Sequence, residues 1–564
     1  MTNRITPPTG IAVGVLMAAT MLSGVQAKTV RHHRATAQSG DSAAIRDELS
    51  VVRQQIDQLK QAQSSNQAQT DSQVQQLKAR VAESETRARV AEAKVADQIQ
   101  TIPAQVKAQV AAAQPTDGKL HIKGATLTLG GFVEAAAIYR SHNTESDIST
   151  NFNSLPYGNS IVGRTSETRF TARQSRISGL AEGDVSPRIH LKGYGEFDFQ
   201  AAAQTANSNQ TNSYNPRIRQ LYTSVDWDRD GYGLHFLAGQ AWSLATMNAK
   251  GITPRNELTP PQIDAQYVPG FVFTRQPQFR LAVDFDKSYW LAVSLENPQT
   301  TCFNSGKFLP GVLLTTNGAA GSGFNSANTL SLNNVPDVIV KGAADESMSG
   351  HGLHLEAFGI YRNLYARKGV LAASGANIVA VGGTTNVSGG GVGGGIVFAA
   401  VPKRLDLQVS GIWGYGVGRY LAGSMPDATA SIDGSIHPVE EWGLLAGATF
   451  HASPKLDLYL FGGEEREYQT AFSDPAGKIN NGLGNPRYDN TGCEVEGATN
   501  CVGNTHYIDQ VTAGFWHKPY QGRFGRFQWG IQYSFTQRHA FAGNGQSPVA
   551  NENMVFTSFR YYPF

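Results

Sequence analysis

The chain has 564 residues, and its 47 basic and 45 acidic residues nearly cancel to a formal net charge of +2. This balance gives no indication of a nucleic-acid partner, so the distribution of charge must be considered instead. Sixty glycines and only three cysteines favour a secreted, β-rich protein.

The first 27 residues have the pattern of a secretory signal peptide. Arg4 supplies the positive start, Ile11 to Leu22 forms the apolar stretch, and Val25-Gln26-Ala27 offers a cleavage site. The stretch is too short for a membrane anchor, and a disordered start is the alternative. Residues 28–40 are polar and are predicted to be disordered.

Residues 41–113 are predicted to form an α-helical coiled coil. Apolar residues recur at alternating spacings of four and three, and the phase shifts once by four residues. The positions of this seam include Ile45, Leu49, Val52, Ile56, Leu59, Val74, Leu77 and Val81. Many core positions are polar or alanine, so a single fraying helix is the alternative. Residues 114–119 are predicted to be a linker.

From residue 120 to residue 564 the pattern changes to strands separated by alternating short and long connections. Eight long connections and seven short turns predict about sixteen strands, with both barrel ends on the periplasmic side. The long connections are predicted at about 141–165, 201–214, 246–272, 298–334, 363–387, 420–436, 469–506 and 541–550.

The segment Arg526 to Arg538 shows why these strands favour a membrane barrel. Apolar side chains alternate with polar ones, and successive strand residues point to opposite faces. The apolar set is Phe527, Trp529, Ile531, Tyr533 and Phe535, and the polar set is Gln528, Gln532, Ser534 and Thr536. A soluble sandwich would also alternate, but charged residues at every second strand position elsewhere are costly against a dry core. The predicted fold is therefore all-β, a transmembrane antiparallel β-barrel of about sixteen strands preceded by an α-helical coiled coil, with the polar set lining the lumen.

Basic residues cluster on the early strands and are the candidates for setting selectivity. They are Arg169, Arg173, Arg176, Lys192, Arg217, Arg219, Arg275 and Arg280. Alternation places Arg169, Arg173, Lys192 and Arg280 toward the lumen, whereas Arg176 has the wrong parity unless a bulge intervenes. A basic wall favours anions, because guanidinium groups bind carboxylates in bidentate fashion. The alternative is that these cations pair with Glu196, Asp198, Asp284 and Glu296 on neighbouring strands.

The connection from Met247 to Phe271 is predicted to fold inward and constrict the channel. Its prolines and apolar residues suit a packed loop, and Arg255, Glu257 and Asp264 are expected to face the basic wall. An exterior loop is the alternative.

The remaining motifs point to no enzyme, cofactor or metal site. Cys493 and Cys501 are eight residues apart in a polar segment and are predicted to form a loop disulfide, leaving Cys302 unpaired. The glycine run at 389–395 lacks the Lys-Ser/Thr of a phosphate loop and is predicted to be strand. An outer-membrane hydrolase using His190 or His354 is a lesser alternative without a supporting motif.

The final strand ends on Phe564, which resembles the signal that the barrel assembly machinery reads. Its aromatic residues take both parities, so a bulge near Pro563 is predicted.

The chain resembles the DcaP-like trimeric porins of Gram-negative outer membranes. The segments that carry the resemblance are Gly130-Gly-Phe-Val-Glu134, Ala172-Arg-Gln-Ser-Arg176, Gly239-Gln-Ala-Trp242, Ser294-Leu-Glu-Asn-Pro298, Pro336-Asp337, Gly416-Val-Gly-Arg-Tyr420 and Arg560-Tyr-Tyr-Pro-Phe564. The resemblance implies a homotrimer in outer-membrane lipid, a coiled coil in the periplasm, and diffusion of small anions, notably dicarboxylates. A passive porin is therefore the predicted function, and a structural anchor with a plugged barrel is the alternative.

Overall fold

The computed structural model describes residues 57, 61, 64, 71–91, 119–201, 215–303, 306–319, 329–374 and 377–564. The chain divides into two units, 1–110 and 111–564. The predictions for 1–27, 28–40 and 114–118, and most of the coiled-coil seam, lie outside the described residues. Nowhere in the described part is a helix both long and apolar enough to cross a membrane.

In the first unit, residues 71–91 form a helix. Val74, Leu77 and Val81 of the predicted seam lie on its surface, with 42%, 59% and 53% of their area exposed. The structure therefore shows helix at this part of the seam, and pairing with other helices stays a prediction.

The second unit contains sixteen wall strands, numbered here in chain order. The strands of the first half are β1 (Ala125–Arg140), β2 (Glu167–Thr171 and Arg176–Ser186), β3 (Ile189–Asp198), β4 (Arg217–Arg229), β5 (Tyr232–Trp242), β6 (Arg275–Phe285), β7 (Tyr289–Glu296) and β8 (Asp337–Met348). The strands of the second half are β9 (His351–Ser374), β10 (Asn377–Val401), β11 (Leu405–Tyr415), β12 (Glu440–Ser453), β13 (Leu456–Glu467), β14 (Thr505–Gly522), β15 (Gly525–Ala540) and β16 (Val549–Tyr562).

Each strand pairs antiparallel with the next along the chain, and β16 pairs with β1 from Arg140↔Met554 to Val133↔Tyr561. The sheet is therefore a closed barrel, which leaves no unpaired edge. Sixteen strands confirm the number predicted from the alternation of short and long connections.

Short elements lie in the long connections and at the start of the wall. The strands are Lys119–Ile122, Cys302–Phe303, Val312–Thr315, Asn317–Ala319, Thr329–Ser331, Ala428–Ala430, Ile436–Pro438, Thr470–Ser473 and Asn480–Leu483, and the 3-10 turns are Phe152–Ser154, Val162–Arg164 and Gly418–Tyr420. A disulfide joins Cys493 to Cys501 in the connection before β14, and Cys302 is a free thiol.

The predicted loop at 363–387 was wrong. β9 and β10 are 24 and 25 residues long, and they pair from Leu353↔Phe398 to Ser374↔Asn377. Their neighbours end earlier, since β8 pairs with β9 only as far as Tyr361 and β11 pairs with β10 only as far as Gly390. The hairpin therefore projects beyond the wall on the side of the long connections. Its glycine and asparagine residues suggested a loop, but cross-strand pairing extends through it.

The two faces of the wall differ in the way that alternation predicts. On β15, Gln532, Ser534 and Thr536 are fully buried inside the barrel, whereas Ile531 and Tyr533 are exposed on its outside. Outward aromatic residues also mark two levels, with Tyr139 and Tyr533 near the long connections and Tyr232 and Tyr289 near the short turns. An apolar exterior with aromatic residues at both margins is typical of barrels that cross an outer membrane.

The bulge predicted near Pro563 is not present within β16. The pairing of β15 with β16 runs without a shift from His539↔Val549 to Arg526↔Tyr562. Phe556 simply faces inward, where it packs in the interior cluster around Phe461 and Trp516, whereas Phe559 and Tyr561 face outward. The mixed parity of the aromatic residues reflects an apolar patch inside the barrel rather than irregular backbone.

Candidate functional site: the barrel interior

The connection between β5 and β6, residues 243–274, lies inside the barrel and is called here the inner loop. Its backbone N–H groups donate to side chains on the opposite wall: Ile263 N to Gln532 Oε1 at 2.5 Å and Gly270 N to Glu465 Oε1 at 2.7 Å. Trp516 Nε1 donates in turn to Pro261 O at 2.8 Å. The inner loop therefore spans the lumen, as its prolines and apolar residues predicted.

Glycines in β10 let the inner loop approach the wall. A Cβ atom at Gly395 would lie 2.7 Å from the Sδ atom of Met247 and 2.7 Å from the backbone oxygen of Val409, so a side chain there would displace its neighbours. Gly393 is equally restricted, because a Cβ there would lie 2.3 Å from the ring of Phe358. The glycine run at 389–395 thus gives room to the interior packing.

A second connection, residues 416–439, packs on the inner loop from the long-connection side. Phe273 N donates to Tyr420 O at 2.8 Å, and Gln266 Nε2 donates to Ala422 O at 2.6 Å. Tyr420 and Leu421 are buried with Ile252 and Val272 in one apolar cluster. The two loops together fill part of the interior, and open space lies below them on the side of the short turns.

Three adjoining cavities occupy that space, with volumes of about 480, 820 and 510 Å³, and they are called here cavities 1, 2 and 3. Cavities 1 and 2 share Thr259 and Pro261 of the inner loop, and cavities 2 and 3 share Lys250 and Lys287. Lys287 belongs to the short turn between β6 and β7, so the cavities reach that end of the barrel.

The charged residues in these walls are unevenly distributed. Cavity 1 is lined by four cations and two carboxylates: Arg176, Lys518, Arg526 and Arg560, with Glu196 and Asp457. Cavity 3 is also lined by four cations and two carboxylates: Lys192, Lys250, Arg255 and Lys287, with Asp226 and Asp228. Cavity 2 has two lysines against Asp345, Glu346 and Asp406, and adds His354 and His451. Two of the three compartments therefore carry an excess of positive charge.

Four of the predicted basic residues meet on one wall. Arg176 and Arg219 both contact Glu196, at 3.7 and 2.6 Å. Arg219 and Arg275 both lie against the ring of Trp242, with centroid distances of 5.8 and 4.8 Å. Arg217 joins this group through Asp198, which also contacts Arg219 at 3.1 Å.

Arg176 faces inward, as the lumen prediction required. β2 is interrupted between Thr171 and Arg176, and this break changes the parity of the strand. Ile177 is consequently exposed on the outside, and Arg176 contacts the ring of Phe132 at 5.2 Å.

The other predicted basic residues lie elsewhere. Arg169 contacts Glu167 at 2.8 Å, and Arg173 pairs with Asp147 of the first long connection. Lys192 contacts Asp226 at 2.8 Å in the wall of cavity 3. Arg280 donates to Gln278 Oε1 at 3.1 Å and to the Trp242 carbonyl.

Cross-strand pairing with a carboxylate therefore holds for four of these eight cations, Arg176, Lys192, Arg217 and Arg219. Of the four carboxylates named as partners, Glu196 and Asp198 form ion pairs with members of the set. Among the described residues, Arg275 and Arg280 are the two members of the set without a carboxylate at ion-pair distance.

The three residues of the inner loop that were predicted to face the basic wall, Arg255, Glu257 and Asp264, do not face a common opening. Arg255 lines cavity 3, and its guanidinium group lies over the ring of Tyr194 at 5.8 Å. The backbone of Glu257 pairs with that of Asn248 in an isolated antiparallel β-bridge. Asp264 is buried and accepts hydrogen bonds from the backbone N–H groups of Thr150 and Gln266, and this burial raises the pKa of its carboxyl. The expectation that all three face the basic wall is therefore wrong for Asp264. Its side chain instead joins the inner loop to the first long connection through these hydrogen bonds.

Sequence reasoning missed the cations of the last strands. Arg560 contacts Glu134 of β1 at 2.9 Å and lies 4.8 Å from the ring of Phe132, which Arg176 contacts as well. Arg526 lies 4.1 Å from the ring of Tyr562. Both residues have inward parity in the sequence, but only closure of the barrel reveals that they adjoin the early arginines. No group of three or more histidine, cysteine or carboxylate side chains among the described residues is arranged so that it could hold a metal ion.

A closed sixteen-stranded barrel, an inner loop across its lumen and charged cavities beneath that loop define a porin-type β-barrel. No family model matches the sequence, and no curated protein matches it.

Among solved structures, the chain is similar to the outer membrane channel DcaP of Acinetobacter baumannii, with 19% identity and a TM-score of 0.52 over 78% of this chain and 99% of that chain. It is also similar to an anion-selective porin from Comamonas acidovorans, with 10% identity and a TM-score of 0.41 over 78% of this chain and 99% of that one. OmpT, an outer membrane protein of Vibrio cholerae, gives 9% identity and a TM-score of 0.39 over 79% and 99%.

At identities of 19% or less, these similarities establish the fold alone. Only the similarity to DcaP has a TM-score, 0.52, that is high enough to indicate a shared fold. That first similarity supports the DcaP-like resemblance found in the sequence.

Proposed function

We propose that this protein is an outer-membrane porin through which small hydrophilic solutes diffuse passively, with a preference for anions. The observation that carries the proposal is the excess of cations in cavities 1 and 3, inside a barrel whose exterior is apolar. Charge at a narrow, low-dielectric passage attracts ions of opposite sign and repels those of the same sign. The porin acts without catalysis, cofactor or metal.

Dicarboxylate-like solutes are the proposed substrate class. Arg176, Arg526 and Arg560 lie around one cavity of about 480 Å³, and guanidinium groups pair with carboxylates in planar, bidentate geometry. The aromatic rings of Phe132, Trp516 and Tyr562 in the same wall supply apolar contact for a carbon skeleton.

Recordings from single channels in planar bilayers test the function. We expect stepwise conductance, and a reversal potential in a potassium chloride gradient that indicates chloride preference. A protein that inserts but never conducts would support the alternative of an anchor with a plugged barrel. A cation-selective reversal potential would refute the anion preference and leave the porin.

We also propose that the protein is a homotrimer in outer-membrane lipid, with residues 41–113 as a periplasmic coiled coil. Several outward positions on β1–β3 are small, namely Ala135, Gly179, Ala181 and Gly195, and exposed apolar residues such as Val133 and Ile177 lie beside them, so this part of the wall offers an apolar surface for a neighbouring barrel. The exposed apolar residues of the helix over 71–91 support self-association of the first unit. Recognition by the barrel assembly machinery stays a prediction.

A further inference from the structure

Four histidines inside the barrel share one arrangement near the short turns. Each ring lies between two carboxylates, and each group of two carboxylates also contacts one lysine. The histidines are His190 of β3, His235 of β5, His354 of β9 and His451 of β12. These groups are called here the histidine clusters.

The cluster of His235 shows the arrangement most clearly. Its Nδ1 lies 2.8 Å from Asp226 Oδ1, and its Nε2 lies 2.8 Å from Asp284 Oδ2. Lys192 contacts the second oxygen of Asp226 at 2.8 Å, and the ring stacks on Trp290 with centroids 5.3 Å apart.

In the cluster of His190, Nδ1 lies 2.6 Å from Asp184 and Nε2 lies 3.4 Å from Asp228. Lys287 contacts Asp228 at 3.4 Å. This cluster and that of His235 adjoin in the wall of cavity 3.

The other two clusters lie along cavity 2. His354 contacts Asp345 at 2.8 Å and Glu356 at 3.0 Å, and Lys341 contacts Glu356 at 2.5 Å. Asn248 N of the inner loop donates to Glu356.

His451 contacts Asp457 at 2.7 Å and Asp406 at 3.2 Å, and Lys518 pairs with Asp457. The remaining charged groups that reach cavities 2 and 3 are Lys250, Arg255 and Glu346, and Arg280 and Glu257 lie near Lys341.

A doubly protonated ring satisfies this geometry with both carboxylates ionised. A neutral imidazole has one N–H group and one lone pair, so it can donate to only one of two carboxylates, and its lone pair would face the other. An imidazolium donates to both. With the ring protonated, two carboxylates, one histidine and one lysine balance in each cluster, and loss of the proton leaves one negative charge.

We propose that these four histidines are specificity-determining residues, and that their protons set the charge that a permeating ion meets in cavities 2 and 3. The inference rests on the proposed porin function and names a selectivity device within it. Protonated rings give cavity 2 a positive balance, whereas neutral rings leave its three carboxylates in excess of its two lysines. Anion preference therefore falls with rising pH as the clusters lose positive charge.

The test measures the ratio of anion to cation permeability from reversal potentials between about pH 5.5 and pH 8.5. Each cavity loses two charges over this range. At about 8 Å from the ion, with screening by about 0.1 M salt, this lowers the ratio about fivefold.

The double variant His190→Gln with His451→Gln removes one imidazole ring from each cavity, and these two side chains are the most exposed of the four. We expect the pH-dependent fall to shrink to about half its size in logarithmic terms. The double variant His190→Lys with His451→Lys places permanent cations between the carboxylates, and its ratio should stay high at alkaline pH. The control is His517→Gln, because His517 Nδ1 accepts from Trp529 Nε1 at 3.1 Å and contacts no carboxylate in the described structure.

A parent protein that conducts with a ratio independent of pH refutes the inference and leaves the porin intact. So does a glutamine double variant that retains the full pH dependence. If that variant does not assemble, the lysine variant and the parent titration decide the question. A protein that never conducts refutes the proposed function itself.

Discussion

Arg526 offers the most direct test of the basic interior. It lines cavity 1, and among the described residues no carboxylate lies at ion-pair distance from its guanidinium group, which lies against the ring of Tyr562. Replacing it with glutamine removes one positive charge and leaves no buried carboxylate without its partner. The substitution therefore separates selectivity from stability, which a change at a paired arginine would not.

The magnitude follows from the size of the cavity. An ion near the centre of a space of about 480 Å³ lies roughly 6 Å from a charge in its wall. At that distance one unit charge contributes about 0.7 kcal/mol in water and about 0.4 kcal/mol at about 0.1 M salt. The effect has opposite sign for an anion and a cation, so Arg526→Gln should lower the anion-to-cation permeability ratio about fourfold.

Reversal potentials of single channels in a salt gradient measure this ratio. Arg466→Gln is the matched control, because Arg466 faces outward on β13 and contacts Glu464 at 2.7 Å. The reasoning is refuted if Arg526→Gln leaves the ratio unchanged, or if both variants lower it equally.

Four further predictions follow from the interior. Arg219→Met removes the buried cation that contacts both Glu196 and Asp198, which keep only Arg176 and Arg217 as partners, and should lower the free energy of unfolding by about 1.5–3 kcal/mol in a urea titration in lipid vesicles; a loss below about 0.5 kcal/mol would contradict the burial argument. Gly395→Val should displace the inner loop and change single-channel conductance, whereas Gly383→Val in the same strand, where a Cβ meets nothing within 4 Å, should not; equal conductance in both variants would show that the loop tolerates the side chain. Because burial raises the pKa of Asp264, the native state keeps this proton to a higher pH than the unfolded chain, and stability declines as the pH rises from the ordinary range of an aspartate into the raised one. Asp264→Asn should therefore remove that decline and melt no lower than the parent at about pH 7, and a lower melting temperature would disprove it. Deletion of residues 41–113 should leave a trimer in light scattering, because the predicted coiled-coil core is so polar; a monomer would show that the stalk holds the subunits together.

Strand number and facing could be predicted because both are local properties. A side chain's face follows from its parity, and turn residues interrupt the pattern at short range. This is why Gln532 and Tyr533 could be assigned to opposite faces from the sequence. The same local reasoning failed at 363–387, where glycine and asparagine favour a loop by composition but the two segments pair with each other over their whole length.

The constellations inside the barrel could be predicted only in part. Inward parity identified Arg169, Arg173, Lys192 and Arg280 as lumen candidates, and the inward fold of the inner loop followed from its composition. Parity does not say which partner a long side chain reaches, and so the pairing of Arg173 with Asp147 in a loop was not foreseen. Each histidine cluster is likewise assembled from residues on different strands.

The sequence by itself determined the wall of this protein: strands of alternating polarity, their number and the apolar exterior. Each of these depends on neighbours within a few residues. Tertiary structure alone decided the interior. Closure of β16 on β1 brings Arg560 beside Arg176, although nearly four hundred residues separate them in the sequence. The position of the inner loop then determines which inward-facing charged side chains line a cavity. Electrostatic interactions depend on distance through space, and that distance is set only when the barrel closes.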